Sequence, residues 1–443
     1  MDASEFELHP DRLSTSDARG RRLFVFPADV RGFFRRYRDR VQIILLAIFL
    51  GLPWIRIHGR QALLLDLPGR RFEIFGLSLR AHNAPLLVFV FATGAFGLFF
   101  TTAVFGRVWC GWACPQTVFI DGVYRKIERW IEGAALERRK LDKAPWSTRK
   151  VWIRSVKWIS YLIVTLFITH SFLAYFVGTE ELSLMMVRPP SQNWGSFLFM
   201  GISSVVILFD FAWFREQFCT IVCPYGRFQS VLMDQSSMIV SYDVKCGEPR
   251  VTRQAREFTK THPGQAVLGD CVNCYRCVQV CPTGIDIRRG LQMECIACTS
   301  CIDACDEVMT KIKKPTGLIR YDSILGLEKE KRRFGFRAGI YLSLCLLSVT
   351  ALVISIASIK PVSVEILRAK DAPYSNQIMS DGTVFVVNHF KVELSNQSGT
   401  DHDLTFATVD KLREQGVQLI AAVQSQAIAD GEVKLVYRFA LVA

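Results

Sequence analysis

Cysteine is absent before Cys110 and after Cys345, so disulfide bracing is excluded at both ends of the chain. Histidine is scarce, seven in 443 residues, and only His170 falls within a long apolar run. The paired axial histidines of a membrane haem are therefore lacking. The first forty residues hold no apolar core of the kind a cleavable signal peptide needs. Acidic residues are outnumbered, 41 against 54 basic ones, for a net charge of +13. That surplus could suggest nucleic acid, but its placement does not. It sits at Arg31, Arg35, Arg36, Arg38 and Arg40 ahead of one apolar run, from Arg125 to Lys157 between two others, and at Lys329–Arg337 before the last. Basic runs flanking apolar segments fix topology and meet lipid head groups.

What is abundant is apolar residue, half of the chain, with a mean hydropathy of +0.22. A membrane helix needs about 20 mostly apolar residues. Leu86–Phe105, Trp158–Val177, Trp194–Phe214 and Ala338–Ile359 meet that length, and the shorter Val41–Ile55 is accepted because Arg40 and Arg56 can snorkel to the interfaces. The positive-inside rule then places the N-terminus, 106–157 and 215–337 in the cytoplasm, with 56–85, 178–193 and 360–443 outside. The arginines of the first outer loop, among them Arg56, Arg60 and Arg71, run against this and are outweighed by the denser inner loops.

The cysteines are concentrated. Residues 271–305 contain one phrase twice: Cys271, Cys274, Cys277 and Cys281-Pro282, then Cys295, Cys298, Cys301 and Cys305. Three closely spaced thiolates hold one corner of a 4Fe–4S cubane and the fourth reaches to the neighbouring cluster. The expected sets are Cys271, Cys274, Cys277 and Cys305 for one cluster, and Cys295, Cys298, Cys301 and Cys281 for the other. Zinc knuckles would use paired Cys-x-x-Cys and give no reason for a third spaced thiol or a second copy. The pattern is that of an electron-transfer protein.

A second repeat ends two of the spans: Cys110-x-x-x-Cys114-Pro115 with Phe119, and Cys219-x-x-x-Cys223-Pro224 with Phe228. Spaced by four, each cysteine pair is expected on one face of a helix that the proline then stops. Two such faces would gather four thiolates near the ferredoxin segment, a soft site suited to Cu(I), zinc, another iron–sulfur centre or a metal-free redox dithiol. Cys345 is expected as plain core and Cys246 as a spare structural thiol. Asp210 stands near the inner end of its span, as open to hydration as to function. His58, His82, His170, Met185 and Met186 could form an outer copper or quinone site, although isolated residues of these types are more often structural.

Five segments follow: a basic N-terminus (1–40), a membrane domain with four spans (41–245), a two-cluster ferredoxin domain (246–337), a fifth span (338–360) and a β-rich region (361–443). In the last, Thr383–Val387 and Phe390–Leu394 are expected to pair across Asn388-His389. Leu404–Thr408, Val417–Val423 and Val433–Leu441 complete a small β-sandwich.

These residues in this order resemble the CcoG/FixG/RdxA family of cytochrome oxidase accessory proteins. The likeness includes Pro68-Gly-Arg70-Arg71-Phe72-Glu-Ile-Phe75-Gly76, both Cys-x-x-x-Cys-Pro helix ends, the double ferredoxin signature, and Asp381-Gly382 with Asn388 and Leu394–Asn396. Asp306 departs from it, standing where a proline often follows the fourth cysteine. The resemblance implies a multi-pass protein of the bacterial inner membrane: a five-helix transmembrane domain, a cytoplasmic bacterial-type two-cluster ferredoxin insert and a periplasmic immunoglobulin-like β-sandwich. It further implies a cupric reductase that makes Cu(I) for the copper–haem centre of a cbb-type cytochrome oxidase. Copper would be substrate or transient ligand, and Cys110, Cys114, Cys219 and Cys223 the redox residues. Partners would be oxidase assembly factors or copper chaperones, with the electron donor and the oligomeric state, a homo-oligomer included, left open. The rivals are a quinol dehydrogenase subunit feeding a partner reductase, and a non-catalytic assembly scaffold.

Overall fold

The computed structural model describes residues 22–57, 59–69, 71–79, 84–251, 268–328 and 335–358, and seven strands between 362 and 442. The chain divides into two compact units. One holds residues 1–76 and 81–350, the other 351–443 with 77–80.

The first unit runs through α1 (Phe33–Gly51), α2 (Ala84–Phe105), α3 (Val108–Trp112), α4 (Pro115–Phe119), α5 (Arg125–Glu132), α6 (Thr148–Val177), α7 (Trp194–Leu208), α8 (Pro224–Leu232), α9 (Ser300–Lys311) and α10 (Phe336–Ala357). Four helices are long and apolar enough to cross a membrane among the described residues: Leu86–Phe105, Thr148–Val177, Trp194–Phe214 and Phe336–Ala357. Most of their side chains are not buried, as expected of helices whose solvent is lipid. Cys345 of α10 lies beside Gly97 of α2, in keeping with plain core. The expected short span, Val41–Ile55, is helical only to Gly51, where a 3-10 turn through Pro53 ends it. The first half of α1 carries Arg35, Arg36, Arg38 and Arg40, which leaves too short an apolar run for the four-span set.

Helix α6 starts at Ser147, whose hydroxyl accepts from Lys150 N at 3.3 Å, and stops at Gly178. Its inner face packs with Phe119, Ile120, Tyr124 and Phe211 in one core, joined by Leu46 and Phe49 of α1.

The ferredoxin module starts earlier than expected. Strand β1 (Met238–Tyr242), ahead of the expected Cys246 boundary, pairs antiparallel with β2 (Ile319–Ser323). Val240, Tyr242, Ile287, Met309 and Ile319 form its small core. A core of that size leaves much of the stability to whatever the cysteines hold. Cys246 is exposed, beside the Asp243 carboxylate, rather than part of the module's core.

In the second unit Val384–Asn396 is central. It pairs antiparallel with Val362–Arg368, Tyr374–Ile378 and Val433–Val442, which in turn pairs with Gln418–Ala421. His402–Thr405 and Ser425–Ile428 form a second, two-stranded sheet. The two short strands expected on either side of Asn388-His389 are one long strand with a bulge at Phe390/Lys391. A bulge resets the alternation without reversing the chain, and in a sequence it mimics a turn. The turn signals Asp381-Gly382, Ser398-Gly399 and Asp430-Gly431 lie outside the described residues.

Candidate functional site: two cysteine cages and a thiol pair on each of two helix ends

The two ferredoxin loops repeat in backbone as well as in sequence. Asn273 and Tyr275 take left-handed conformations (φ 55° and 56°), and Ala297 and Thr299 do the same at equivalent places (φ 51° and 61°). Non-glycine residues adopt this region only where the surroundings over-determine it, and sites are where that happens. Cys271, Cys274, Cys277 and Cys305 line one cavity of about 380 Å³. Cys281, Cys295, Cys298 and Cys301 line another of about 350 Å³, with Cys277 at its edge. The fourth cysteine of each phrase thus stands beside the other phrase's first three.

Burial pushes the Cys281 thiol up to about 11 and those of Cys277, Cys295 and Cys305 up to about 12. Arg288 beside Cys277 and Arg107 beside Cys295 pull the other way, but burial outweighs them. Among the described residues no three His, Cys, Asp or Glu side chains converge on a point where one ion could sit. A single-ion site is therefore not preformed. A cubane differs, because each cysteine binds a different iron and the sulfurs stay spread around it.

The Cys-x-x-x-Cys pairs are not each on one helix face. Cys110 lies in α3 and Cys219 in a π-helical turn (Phe218–Val222), but Cys114 and Cys223 are extended residues after these turns. Pro115 and Pro224 occupy the first position of α4 and α8, where proline's missing N–H costs nothing. Each proline therefore opens a new helix. Cys219 remains within electrostatic range of Cys110, Cys114 and Cys223, although no three of these sulfurs meet at one point. Burial raises the Cys110 thiol to about 11, opposed by the Gln229 amide, which donates to its sulfur at 3.2 Å.

This thiol group abuts the second cysteine cage. Gly111, next to Cys110, approaches the backbone so closely that a Cβ would lie 2.5 Å from Ile296 O and 2.7 Å from Ala297 O. Arg107 reinforces the joint. Its guanidinium donates to Met293 O, to Cys295 O at 3.2 Å and to Gly226 O at 2.7 Å, tying the cage to both helix-end motifs. On the other side Arg38, 1 % exposed, donates to Cys298 O and Ser300 Oγ, both at 3.3 Å. Asp303 of α9 accepts from Phe34 N (3.2 Å) and Arg35 N (2.7 Å), capping α1 from a distant part of the chain.

Beneath the joint lies a buried ion-pair network. Asp121 meets Arg38 at 2.7 Å and Arg35 at 2.8 Å. Burial opposes its charge, but these arginines and Arg125 hold the carboxyl well below the usual carboxylate range. Glu128, 1 % exposed, accepts from Arg215, from Arg138 at 3.1 Å and from Tyr161 at 2.8 Å. The roles of Arg38, Arg107, Gly111, Asp121, Glu128 and Arg215 were not read from the sequence. One signal was available: an arginine precedes each helix-end motif, Arg107 before Cys110 and Arg215 before Cys219. Of the expected outer site, His58 and His82 lie outside the described residues, and His170 donates to Leu166 O of its own helix at 2.7 Å.

Comparison with known proteins bears on these features. A 4Fe-4S dicluster domain model matches residues 214–324, and a 4Fe-4S binding domain model matches 87–133, where Cys110 and Cys114 are the cysteines. The nitrogen fixation protein FixG of Rhizobium meliloti is 38 % identical over 307 residues, 68 % of this chain, and the match spans 57 % of FixG. Protein RdxA of Cereibacter sphaeroides is 33 % identical over 401 residues, 86 % of this chain and 81 % of RdxA. The chain belongs to the FixG/RdxA family. The ferredoxin-type protein NapH of Escherichia coli is also similar, 27 % identical over 281 residues, 57 % of this chain and 89 % of NapH. No solved structure matches. This FixG/RdxA-family chain is thus a membrane iron–sulfur electron-transfer protein.

Proposed function

We propose that this protein reduces Cu(II) to Cu(I) at Cys110, Cys114, Cys219 and Cys223, for assembly of the copper–haem centre of a cbb-type cytochrome oxidase. The observation that carries the reading is the backbone contact of Gly111 with Ile296 and Ala297, which sets the thiol group against the second cysteine cage. Cys271, Cys274, Cys277 and Cys305 would hold one 4Fe–4S cluster, and Cys281, Cys295, Cys298 and Cys301 the other. The clusters, when bound, supply single electrons at low potential. Arg107 keeps the cage and the thiols in register, and the Gln229 amide orients the Cys110 sulfur. Copper gains one electron, and each thiol that ligates it gives up its proton. Soft thiolates in low coordination prefer Cu(I), so product binding favours the reduction.

The double variant Cys110→Ser, Cys114→Ser is expected to keep both ferredoxin clusters by EPR and to lose Cu(II) reduction, followed with a Cu(I)-specific chelator. Unchanged reduction would remove these thiols from the mechanism. Iron and sulfide are counted in the same sample, because the 4Fe-4S description of residues 87–133 also supports a third iron–sulfur centre at the four thiols. Loss of one cluster's iron from the variant would favour that centre over copper. Quinol oxidation independent of copper would favour the quinol dehydrogenase reading instead. Cross-ligation has its own test: Cys305→Ser should perturb the cluster of Cys271, Cys274 and Cys277, and Cys281→Ser that of Cys295, Cys298 and Cys301. The opposite pattern in EPR overturns the pairing.

The same reading takes α1 as a fifth span in the bacterial inner membrane, with the ferredoxin module in the cytoplasm. The second unit would be an immunoglobulin-like domain in the periplasm, docking a copper chaperone or an oxidase assembly factor.

A further inference from the structure

We propose that a cavity between α1, α5 and the ferredoxin module is a binding site for a phosphate-bearing anion. The cavity is a small cleft that opens to solvent. Six cations line it: Arg35, Arg38, Arg125, Lys126, Arg129 and Arg138. Two acids, Asp29 and Asp121, line it with them.

The carboxylates do not saturate these donors. Asp121 alone is shared by Arg38 at 2.7 Å, Arg35 at 2.8 Å and Arg125 at 3.7 Å. From outside the cavity Asp39 reaches both Arg35 and Lys126, and Glu128 divides itself between Arg138 and Arg215. Glu216 pairs with Arg125 at 2.5 Å. After all of this the Nε–H groups of Arg38, Arg125 and Arg138 remain buried without an acceptor among the described residues. All three side chains are more than nine-tenths buried. A buried donor left without an acceptor is costly, and more so when it is charged. An anion with several acceptor oxygens would serve these donors together, and arginine forks match phosphate geometry.

The surroundings favour a phosphate at this place. Trp130, next to Arg129 on α5, is 80 % exposed. Tryptophans gather at the level of lipid head groups, and basic pockets at that level take anionic lipid phosphates. The same chemistry would accept a soluble phosphate. Pro27, Ala28 and Val30 ahead of α1 line it too, and one wall belongs to the electron-transfer module: Val280 and Pro282 flank Cys281, and Ser300 precedes Cys301. Occupancy would therefore clamp the second cysteine cage to the membrane helices. The inference does not depend on what the thiols reduce.

The test uses the full-length, cluster-loaded protein. Binding is measured in nanodiscs of phosphatidylglycerol against phosphatidylcholine, with native mass spectrometry of retained lipid, and by calorimetric titration of inorganic phosphate and pyrophosphate in lipid-free neutral detergent. The variant Lys126→Gln, Arg129→Gln changes the two cations with the most exposed side chains, and Lys126→Gln alone serves if the pair misfolds; iron content and EPR report folding. Phosphatidylglycerol retained over phosphatidylcholine, with affinity falling roughly thirtyfold in the double variant or about fivefold in the single one, supports the site with lipid as its source. Phosphate or pyrophosphate binding that the variant loses supports it with a soluble source. Equal retention of both lipids with no phosphate binding, or binding unchanged in the variant, overturns it.

Discussion

Replacing Arg215 with alanine is expected to destabilise the first unit by about 3–5 kcal/mol, the cost of stranding a buried charge whose partner has gone. Arg215 is 2 % exposed and donates to both carboxylate oxygens of Glu128, which has no route to water. Thermal unfolding of the cluster-loaded protein in detergent should show the loss as a lowered midpoint. Adding Glu128→Ala to the variant should restore part of it, because the buried carboxylate, left with Arg138 as its one paired cation among the described residues, is then removed. A midpoint unchanged by Arg215→Ala would mean that water reaches Glu128. The same pair sets an acid limit. Burial opposes ionisation of Glu128, but Arg215 outweighs it and holds the carboxyl near 2. A carboxyl lowered in the fold contributes stability above its unfolded value, about 4.3, and loses it as the pH falls toward 2. Wild-type stability should therefore decline over that window, and the variant lacking both groups should decline less.

The second large effect belongs to Gly111. A valine there would place its Cβ 2.5 Å from Ile296 O, a backbone atom that cannot swing aside, so α3 and the cage must part. A displacement of about 1 Å at a reacting site can cost on the order of 10²-fold in rate. We expect Gly111→Val to keep its iron and the EPR signals of chemically reduced protein, while the proposed Cu(II) reduction, driven through the ferredoxin module, falls by about that factor. Normal turnover in the presence of both clusters would show that electrons leave the cage by another face. Gly111→Ala should lie between valine and wild type.

Much of this architecture was legible in the chain. The doubled cysteine phrase forecasts two cages because its spacing is set by cluster geometry, and the four long apolar runs need no partner to be recognised. What escaped was whatever depends on distant residues meeting. Arg35 and Arg38 look like topology charges in a basic N-terminus, yet Arg38 ends buried against Cys298 O. Strand β1 adjoins a membrane segment in sequence, and only its pairing with Ile319–Ser323 assigns it to the ferredoxin module. The spacing of four in Cys110 and Cys114 suggests one helix, but each proline starts a helix of its own and leaves the preceding cysteine extended. The bulge at Phe390/Lys391 broke the alternation in the same way that a hairpin would.

The cap that Asp303 lends to α1 has a bearing on biogenesis. The amino end leaves the ribosome first, whereas its acceptors arrive 260 residues later, at Cys298, and then at Asp303. That late segment can settle only once iron and sulfide have been delivered to it. Until then the first turn of α1 lacks that cap, so iron-starved cells are expected to accumulate chains clipped within it, read by N-terminal mass mapping.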